Sequence, residues 1–209
     1  MNQRYQSHLF WGSHAPLSSL VNTGLIIMGS GRTAYAIVTL LALLWVYELT
    51  FFVSLAAKPV FPRRGRNITL LFLSSLFGSL FFLLLFLMSP ILAMDTGFLI
   101  LLTPVTALSS GLYRRLEALD TEDSMAQVFS EAMILGLLIL ALALIREPLG
   151  FGSLSLPGGF QGIITLFRFE GEFFPLRIIA ASSGALILLG YGAALFRRKR
   201  NQYTHGEDL

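Results

Sequence analysis

The sequence of residues 67–94 is NITLLFLSSLFGSLFFLLLFLMSPILAM, and it contains no Asp, Glu, Lys or Arg. A helix of roughly 20 mostly apolar residues crosses the hydrocarbon core of a bilayer, which is about 30 Å thick. This segment is long enough for such a crossing, so it predicts a transmembrane helix. Its phenylalanines are expected to face lipid or another subunit.

The composition of the whole chain is that of a membrane protein. Of its 209 residues, 55% are hydrophobic and 13% are charged, and the mean hydropathy is +0.71. A soluble domain carries about 25% charged residues, and a core of this size cannot hide the excess apolar surface. A lone soluble domain is therefore excluded. The chain has no cysteine, which excludes disulfides, thiolate-bound zinc and cysteine-ligated iron–sulfur clusters within it.

Six apolar segments predict six transmembrane helices. They cover approximately residues 17–28, 33–57, 67–94, 96–113, 125–145 and 178–196. The first segment is short for a full crossing, and Pro104 together with Ser109-Ser110-Gly111 interrupts the fourth. We expect an all-α membrane protein in which residues 17–196 form the transmembrane domain. Residues 1–16 are then a cytoplasmic or interfacial N-terminus without the features of a secretory signal, and residues 197–209 are a basic cytoplasmic tail.

The basic residues predict the orientation of these spans. With six spans and a cytoplasmic N-terminus, most of the 15 Lys and Arg residues face the cytoplasm. These are Arg4, Lys58, Arg63, Arg64, Arg66, Arg114, Arg115, Arg197, Arg198, Lys199 and Arg200. The other side holds Arg32, Arg146, Arg168 and Arg177. This distribution follows the positive-inside rule and predicts a multi-pass protein of the bacterial inner membrane with both termini in the cytoplasm.

Residues 149–167 are also free of charge, but five glycines and Pro157 break them up. We interpret residues 147–174 as an external or re-entrant loop rather than a seventh helix. If they spanned the membrane, the prediction of orientation would fail.

The two halves of the chain, about residues 17–94 and 96–196, have the same order of segments. Each begins with a short or interrupted segment followed by two longer ones. An odd number of helices per half predicts an inverted-topology repeat, in which the interrupted helices meet near the bilayer midplane and form the functional site. The candidate residues of this site are Asn22, Thr23, Gly24, Pro104, Thr106, Ser109, Ser110 and Gly111.

Few side chains carry chemistry. No nucleophile–base pair or phosphate loop is visible, and His8, His14 and His205 do not have the spacing of metal ligands, so no catalytic or metal site is predicted. Glu48 lies about ten residues, or roughly 15 Å, inside the second span. Burying an ionised carboxylate there costs on the order of 2.5–3.5 kcal/mol. Glu48 is either a proton- or sodium-coupling group or a neutral acid hydrogen-bonded to another helix. The Ser109–Gly111 run is either an ion or small-ligand contact or a polar contact between helices.

Several motifs resemble one family. Residues 104–119, PVTALSSGLYRRLEAL, are similar to the stretch PLIVTNCIVVGRAEAF in the fourth helix of the integral-membrane subunits of Rnf and Nqr electron-transport complexes, closest to the RnfE/NqrD branch of the RnfA/RnfE/NqrD/NqrE family. Residues 146–153, REPLGFGS, resemble that family's REIIGNGT. Weaker similarities follow the family's order. They are Trp11, Pro16, Gly24, Phe129-Ser130, Phe174-Pro175, Ser183-Gly184-Ala185 and Gly190.

The resemblance implies a six-helix inverted repeat paired with an oppositely oriented sister subunit. In that family, a cysteine in each interrupted helix ligates a [2Fe–2S] cluster shared between the sisters, and electrons cross the membrane through it. Here the fourth-helix cysteine position falls on Ser110, and the first-helix position falls within residues 24–27, where there is no cysteine either. We therefore expect no such cluster held by this chain, and no other cofactor.

The sequence thus favours a membrane subunit of an Rnf/Nqr-like ion-translocating electron-transport complex, with a scaffold or ion-path role and no catalysis of its own. Its expected partners are the sister subunit, other subunits of that complex and the lipid bilayer, with no nucleic acid. The alternative is a small-solute, vitamin-type binding subunit of a membrane transporter, which matches in length and helix number only. A structural or assembly factor is a third possibility.

Overall fold

The computed structural model describes residues 20–57, 66–110, 121–168, 177–192 and 194. These residues are mostly helical. The helices are α1 (Leu20–Gly29), α2 (Thr33–Ala56), α3 (Arg66–Met88), α4 (Pro90–Ser109), α5 (Thr121–Phe151), α6 (Arg177–Ala180) and α7 (Ser182–Gly192). Two strands, β1 (Ser153–Pro157) and β2 (Ile163–Arg168), flank a short 3₁₀ turn at Gly159–Gln161. The predicted N-terminal segment 1–16 and the basic tail 197–209 lie outside the described residues.

Four helices, α2 to α5, are long and apolar enough to cross a bilayer, as expected for a multi-pass membrane protein. At 1.5 Å per residue, the 23 residues of α3 extend about 35 Å. In contrast, the 10 residues of α1 extend only about 15 Å, which is half of the hydrocarbon core. The six-helix inverted repeat stays a prediction.

The predicted boundary between the third and fourth segments, at residue 95, is wrong. Helix α3 ends at Met88, Ser89 is extended, and α4 begins at Pro90. Proline suits the first position of a helix because it has no N–H to leave unpaired there and its φ is already helical. Asp95 therefore lies within α4, where it accepts a hydrogen bond of 3.1 Å from the hydroxyl of Tyr35.

The predicted interruption of the fourth helix at Pro104 is also wrong, because α4 is continuous from Pro90 to Ser109. Pro104 has no N–H to donate to the carbonyl of Ile100. The Thr103 hydroxyl donates to that carbonyl instead, at 2.7 Å. Gly78 of α3 packs directly over the proline ring, since a Cβ at Gly78 would lie 3.2 Å from Pro104 Cγ. The Ile100 carbonyl is thus hydrogen-bonded, and α4 continues past the proline.

The prediction of an all-α protein with a loop at residues 147–174 needs correction. Helix α5 continues to Phe151, and β1 and β2 then form an antiparallel hairpin, with Ser153 paired to Arg168 and Pro157 to Ile163. The turns use glycines at positive φ, 63° at Gly152 and 79° at Gly162, which other residues rarely adopt. The rest of the predicted loop, residues 169–174, lies outside the described residues.

Helix α2 is central, because it packs against α3, α4 and α5. The fully buried side chains Leu43, Val46 and Tyr47 of α2 meet Leu135 and Ile139 of α5 in the largest cluster of the core. At one end of the bundle α1 ends, α2 begins, α3 passes to α4, and the β-hairpin follows α5. We call this end, formed by residues 29–33, 88–90 and 146–168, the hairpin end.

Candidate functional site

A row of hydrogen-bonded polar side chains joins α1, α2 and α4. Four residues form it, and we call them the polar seam: Asn22, Tyr47, Thr106 and Ser109. The Ser109 Oγ lies 3.3 Å from the Asn22 Oδ1, which brings the short first helix into contact with the end of α4. Asn22 is 2% exposed and Tyr47 is 1% exposed, and the Tyr47–Thr106 bond is buried. Ser109 itself is exposed, so its contact with Asn22 is only partly buried.

The directions of two bonds in the seam follow from proton counting. The Thr106 hydroxyl donates to the Thr103 carbonyl at 2.7 Å. A hydroxyl has one hydrogen, so whenever the Thr106 proton is on the Thr103 carbonyl, the Tyr47 hydroxyl is the donor in its 3.1 Å bond to Thr106 Oγ1. Ser109 has two acceptors within reach, the Asn22 amide oxygen and the Thr106 carbonyl at 3.0 Å, and its single proton serves one or is shared.

Of the residues predicted for the midplane site, the structure brings Asn22, Thr106 and Ser109 together. Ser110 donates to the carbonyl of Ala107 in its own helix, at 3.0 Å. Pro104 packs on α3, away from the seam. Thr23 and Gly24 follow Asn22 in α1, and a Cβ at Gly24 would have no atom within 4 Å. Gly111 lies outside the described residues.

The donor set of the seam does not fit the cluster of the resembled family. Hydroxyl and amide oxygens line it, whereas a [2Fe–2S] cluster of that kind is held by cysteine thiolates, and the chain has no cysteine. Within residues 20–57, 66–110, 121–168 and 177–192, no group of three or more His, Asp or Glu side chains is arranged to hold a metal ion.

Glu48 lies on a different face of α2 from the seam. It follows Tyr47 directly, and successive side chains of an α-helix point about 100° apart. Its neighbours on that face, Leu41 and Phe52, are about half exposed. Both carboxylate oxygens are nevertheless buried, and neither has a hydrogen-bond partner among the described residues. The indole Nε1 of Trp45, one helical turn earlier, is also buried and has no hydrogen-bond partner among the described residues. The predicted ion-path residue and the predicted midplane residues are therefore separate.

The sequence interpretation missed the most heavily bonded side chain of the hairpin end. Arg146 was counted as an external basic residue, but it is 3% exposed. Its guanidinium donates to the carbonyls of Ile179 (3.0 Å), Ala180 (2.7 Å) and Ile27 (2.8 Å), and to the Ser30 hydroxyl (3.0 Å). These carbonyls belong to the last turns of α1 and α6, where a helix leaves its carbonyls unpaired.

Glu147, which is 1% exposed, accepts a hydrogen bond at the start of α2, whereas Arg146 donates hydrogen bonds at the ends of other helices. Its carboxylate accepts a hydrogen bond of 2.6 Å from the backbone N–H of Thr33. The Ser155 hydroxyl of β1 accepts a longer one, 3.5 Å, from the N–H of Ala34. Arg32, which precedes α2, supplies no side-chain cap. The adjacent Arg-Glu pair at the end of an apolar segment was the available sequence signal.

No protein family, curated protein or solved structure was found to match this chain. The similarity of its motifs to the Rnf and Nqr subunits is neither supported nor contradicted by these comparisons.

Proposed function

We propose that this chain is a membrane subunit of an Rnf/Nqr-like ion-translocating electron-transport complex, in which it acts as a scaffold and carries no [2Fe–2S] cluster of its own. The contact between Asn22 and Ser109 is the observation that carries this proposal. It joins the two stretches that align with the cysteine-bearing helices of the resembled family. The half-length α1 is a second point in its favour.

The scaffold role follows from what the seam can do chemically. Its side chains donate and accept hydrogen bonds but carry no thiolate, and a hydrogen bond of this kind contributes about 1 kcal/mol to stability. Such bonds hold α1 against α4 and fix the shape of the surface offered to a sister subunit. Any cluster ligands in the complex would then come from the sister.

An ion-path role for Glu48 is the finer part of the proposal. Ionisable side chains inside a membrane segment are costly and are kept where they pair with a partner or serve a pathway. Glu48 has no partner among the described residues, which favours the pathway over a hydrogen bond to another helix of this chain.

The composition of the complex after extraction in a mild detergent tests the proposal. We expect an oppositely oriented six-helix sister and flavin-bearing subunits to copurify with the chain. Asn22→Ala and Ser109→Ala should each reduce the yield of the complex. Ser130→Ala should not, because among the described residues its hydroxyl bonds only to the Gln127 carbonyl of α5. A chain that purifies alone and binds a vitamin-type solute would establish the alternative function instead.

The same preparation tests Glu48 separately. Glu48→Gln should change the dependence of electron flow on sodium or pH, whereas Glu131→Gln, a second acid in a predicted span, should leave it unchanged. If Glu48→Gln changes the sodium and pH dependence of electron flow no more than Glu131→Gln does, Glu48 is not on the ion path. The proposed scaffold role does not depend on this result.

A further inference from the structure

The β-hairpin is fixed to the bundle at two points. The Ser155 hydroxyl of β1 bonds to the first turn of α2. At the tip, Gly162 packs against the start of α4, where a Cβ would lie 3.0 Å from Ile91 Cγ2. The tip therefore lies against the first turn of α4, and the neighbouring Ile163 packs on the core between α2 and α4.

Ile91 is the first member of an exposed apolar stripe on α4. The stripe continues through Met94, Phe98, Leu101 and Val105, with exposures of 37–76%. The spacing of three and four residues places all of these side chains on one face of the helix. Because α4 is long and apolar enough to span the membrane, we expect this face to meet lipid. Asp95, four residues after Ile91, is also exposed on it, near the hairpin end. The hairpin tip thus lies where this apolar stripe begins, at the hairpin end of α4.

The hairpin itself exposes apolar side chains and no charge until its last residue. Phe160 in the turn is 77% exposed, and Leu166 and Phe167 of β2 are 55% and 46% exposed. Between Ser153 and Phe167 there is no Asp, Glu, Lys or Arg, and Arg168 ends the strand. Apolar surface left in water costs about 25 cal/mol per Å², whereas aromatic side chains are favoured at the boundary between headgroups and acyl chains.

We propose that residues 153–168 form a lipid-interface element, with Phe160 inserted at the boundary between headgroups and acyl chains beside α4. The depth is limited by the backbone. Among the described residues the sheet has two strands, and backbone groups at the edge of a sheet can be satisfied by hydrated headgroups but not by hydrocarbon. Such a hairpin is marginal in water on its own, so contact with lipid also stabilises it. The proposal requires a membrane-embedded bundle and does not depend on the proposed electron-transport role.

Spin labelling tests this inference directly, because the chain has no native cysteine to remove. Single cysteines are placed at Phe160, at the adjacent exposed Gln161, at Leu101 in the lipid-facing stripe, and at exposed Arg32 on the same end of the bundle. Each variant is labelled and reconstituted into vesicles of phosphatidylcholine and phosphatidylglycerol. Collision rates with oxygen, which concentrates in lipid, and with a water-soluble nickel chelate then give the depth of each label.

We expect labels at Phe160 and Gln161 to lie at a depth between those at Arg32 and Leu101, with the oxygen-to-nickel collision ratio raised several-fold over Arg32→Cys. A ratio equal to that of Arg32→Cys would place the hairpin in water. Low collision rates with both reagents would mean that another protein surface, such as a second copy, covers the tip. Either result overturns the proposal. Two adjacent positions are used so that failure of one variant to fold leaves the other measurement.

Discussion

Arg146 and Glu147 are neighbours in sequence that stabilise opposite ends of different helices. Side chains at successive positions of α5 point about 100° apart, so the guanidinium reaches α1 and α6 while the carboxylate reaches α2. The signs of charge match the helix dipole, since a cation is favoured at a C-terminus and an anion at an N-terminus. Two adjacent residues thereby join four helices at the hairpin end.

We predict that Arg146→Gln lowers the free energy of unfolding by about 3 kcal/mol, the lower end of the range for breaking a buried charged interaction. Arg146→Lys should recover only part of this loss, because a single ammonium cannot reproduce the planar fork of donors that reaches two helix ends. Thermal unfolding followed by circular dichroism in detergent measures both. Arg168→Gln, at an exposed position, is the matched control, with an expected change within about 0.5 kcal/mol. Equal melting of the Arg146→Gln and Arg168→Gln variants would contradict the role assigned to Arg146.

At the scale of elements, the contact between α2 and α5 depends on a glycine. A Cβ added at Gly136 of α5 would clash with the side chain of Leu40 in α2, whereas a Cβ at Gly24 of α1 would meet nothing within 4 Å. Both glycines lie within helices, so replacing either by alanine brings the same gain in helix propensity, up to about 1 kcal/mol. Only the steric environment differs between the two positions.

Gly136→Ala should therefore be less stable than Gly24→Ala by about 1–3 kcal/mol, the usual cost of overpacking a core. Unfolding in mixed micelles of increasing dodecyl sulfate content gives this difference. Leu40→Ala should be better tolerated in the Gly136→Ala background than alone, because the new methyl group fills the space that the leucine leaves. If the change in unfolding free energy of the double variant equals the sum of the changes in the two single variants, the clash between the new methyl group at position 136 and Leu40 does not form.

The sequence predicted the long helices well and their junctions poorly. An apolar run of more than 20 residues has few alternatives to a spanning helix, so α2 was placed within two residues of its ends. Ser89-Pro90 was missed because both residues sit inside an unbroken apolar run and add no charge. The hairpin was missed because its alternation of polar and apolar residues, SLSL in β1, is short and was outweighed by the surrounding glycines.

The site was predictable only in part, for a physical reason. Asn22 and Ser109 were singled out because they lie in segments with an unusual local pattern. Tyr47 was not, because nothing near it in the sequence reveals that its hydroxyl bonds to Thr106, 59 positions away. Arg146 was placed on the outer side by the count of six spans, which says nothing about its burial. Its burial becomes reasonable only once two helix ends that are distant in sequence are seen beside it.

At the scale of the whole molecule, the remaining question is which end of the bundle faces the cytoplasm. Helix α3 begins at the end opposite the hairpin, next to the basic segment 58–66. The positive-inside rule predicts that such a segment is cytoplasmic, so we expect the hairpin end to face outward. The outer surface of α3 is lipid- or partner-facing, since only Leu70, Ser74 and Gly78 of this helix are buried.

Labelling with a membrane-impermeant maleimide tests this orientation in the cysteine-free chain. Arg32→Cys, at the exposed joint between α1 and α2, should react in intact spheroplasts, which are cells stripped of their outer membrane. Asn67→Cys, exposed in the first turn of α3, should react only after the inner membrane is permeabilised. The reverse pattern would invert the predicted topology, and reaction at both sites in intact spheroplasts would exclude the spanning arrangement.

The capping of α2 has a consequence for biogenesis. The groups that accept its first two backbone protons, on Glu147 and Ser155, follow it by 114 and 121 positions. When α2 enters the membrane during synthesis, neither group has yet been translated, and water must solvate those amides. The cap of α2 can therefore form only after α5 and β1 have been synthesised, and a nascent chain arrested before α5 emerges lacks both acceptor groups.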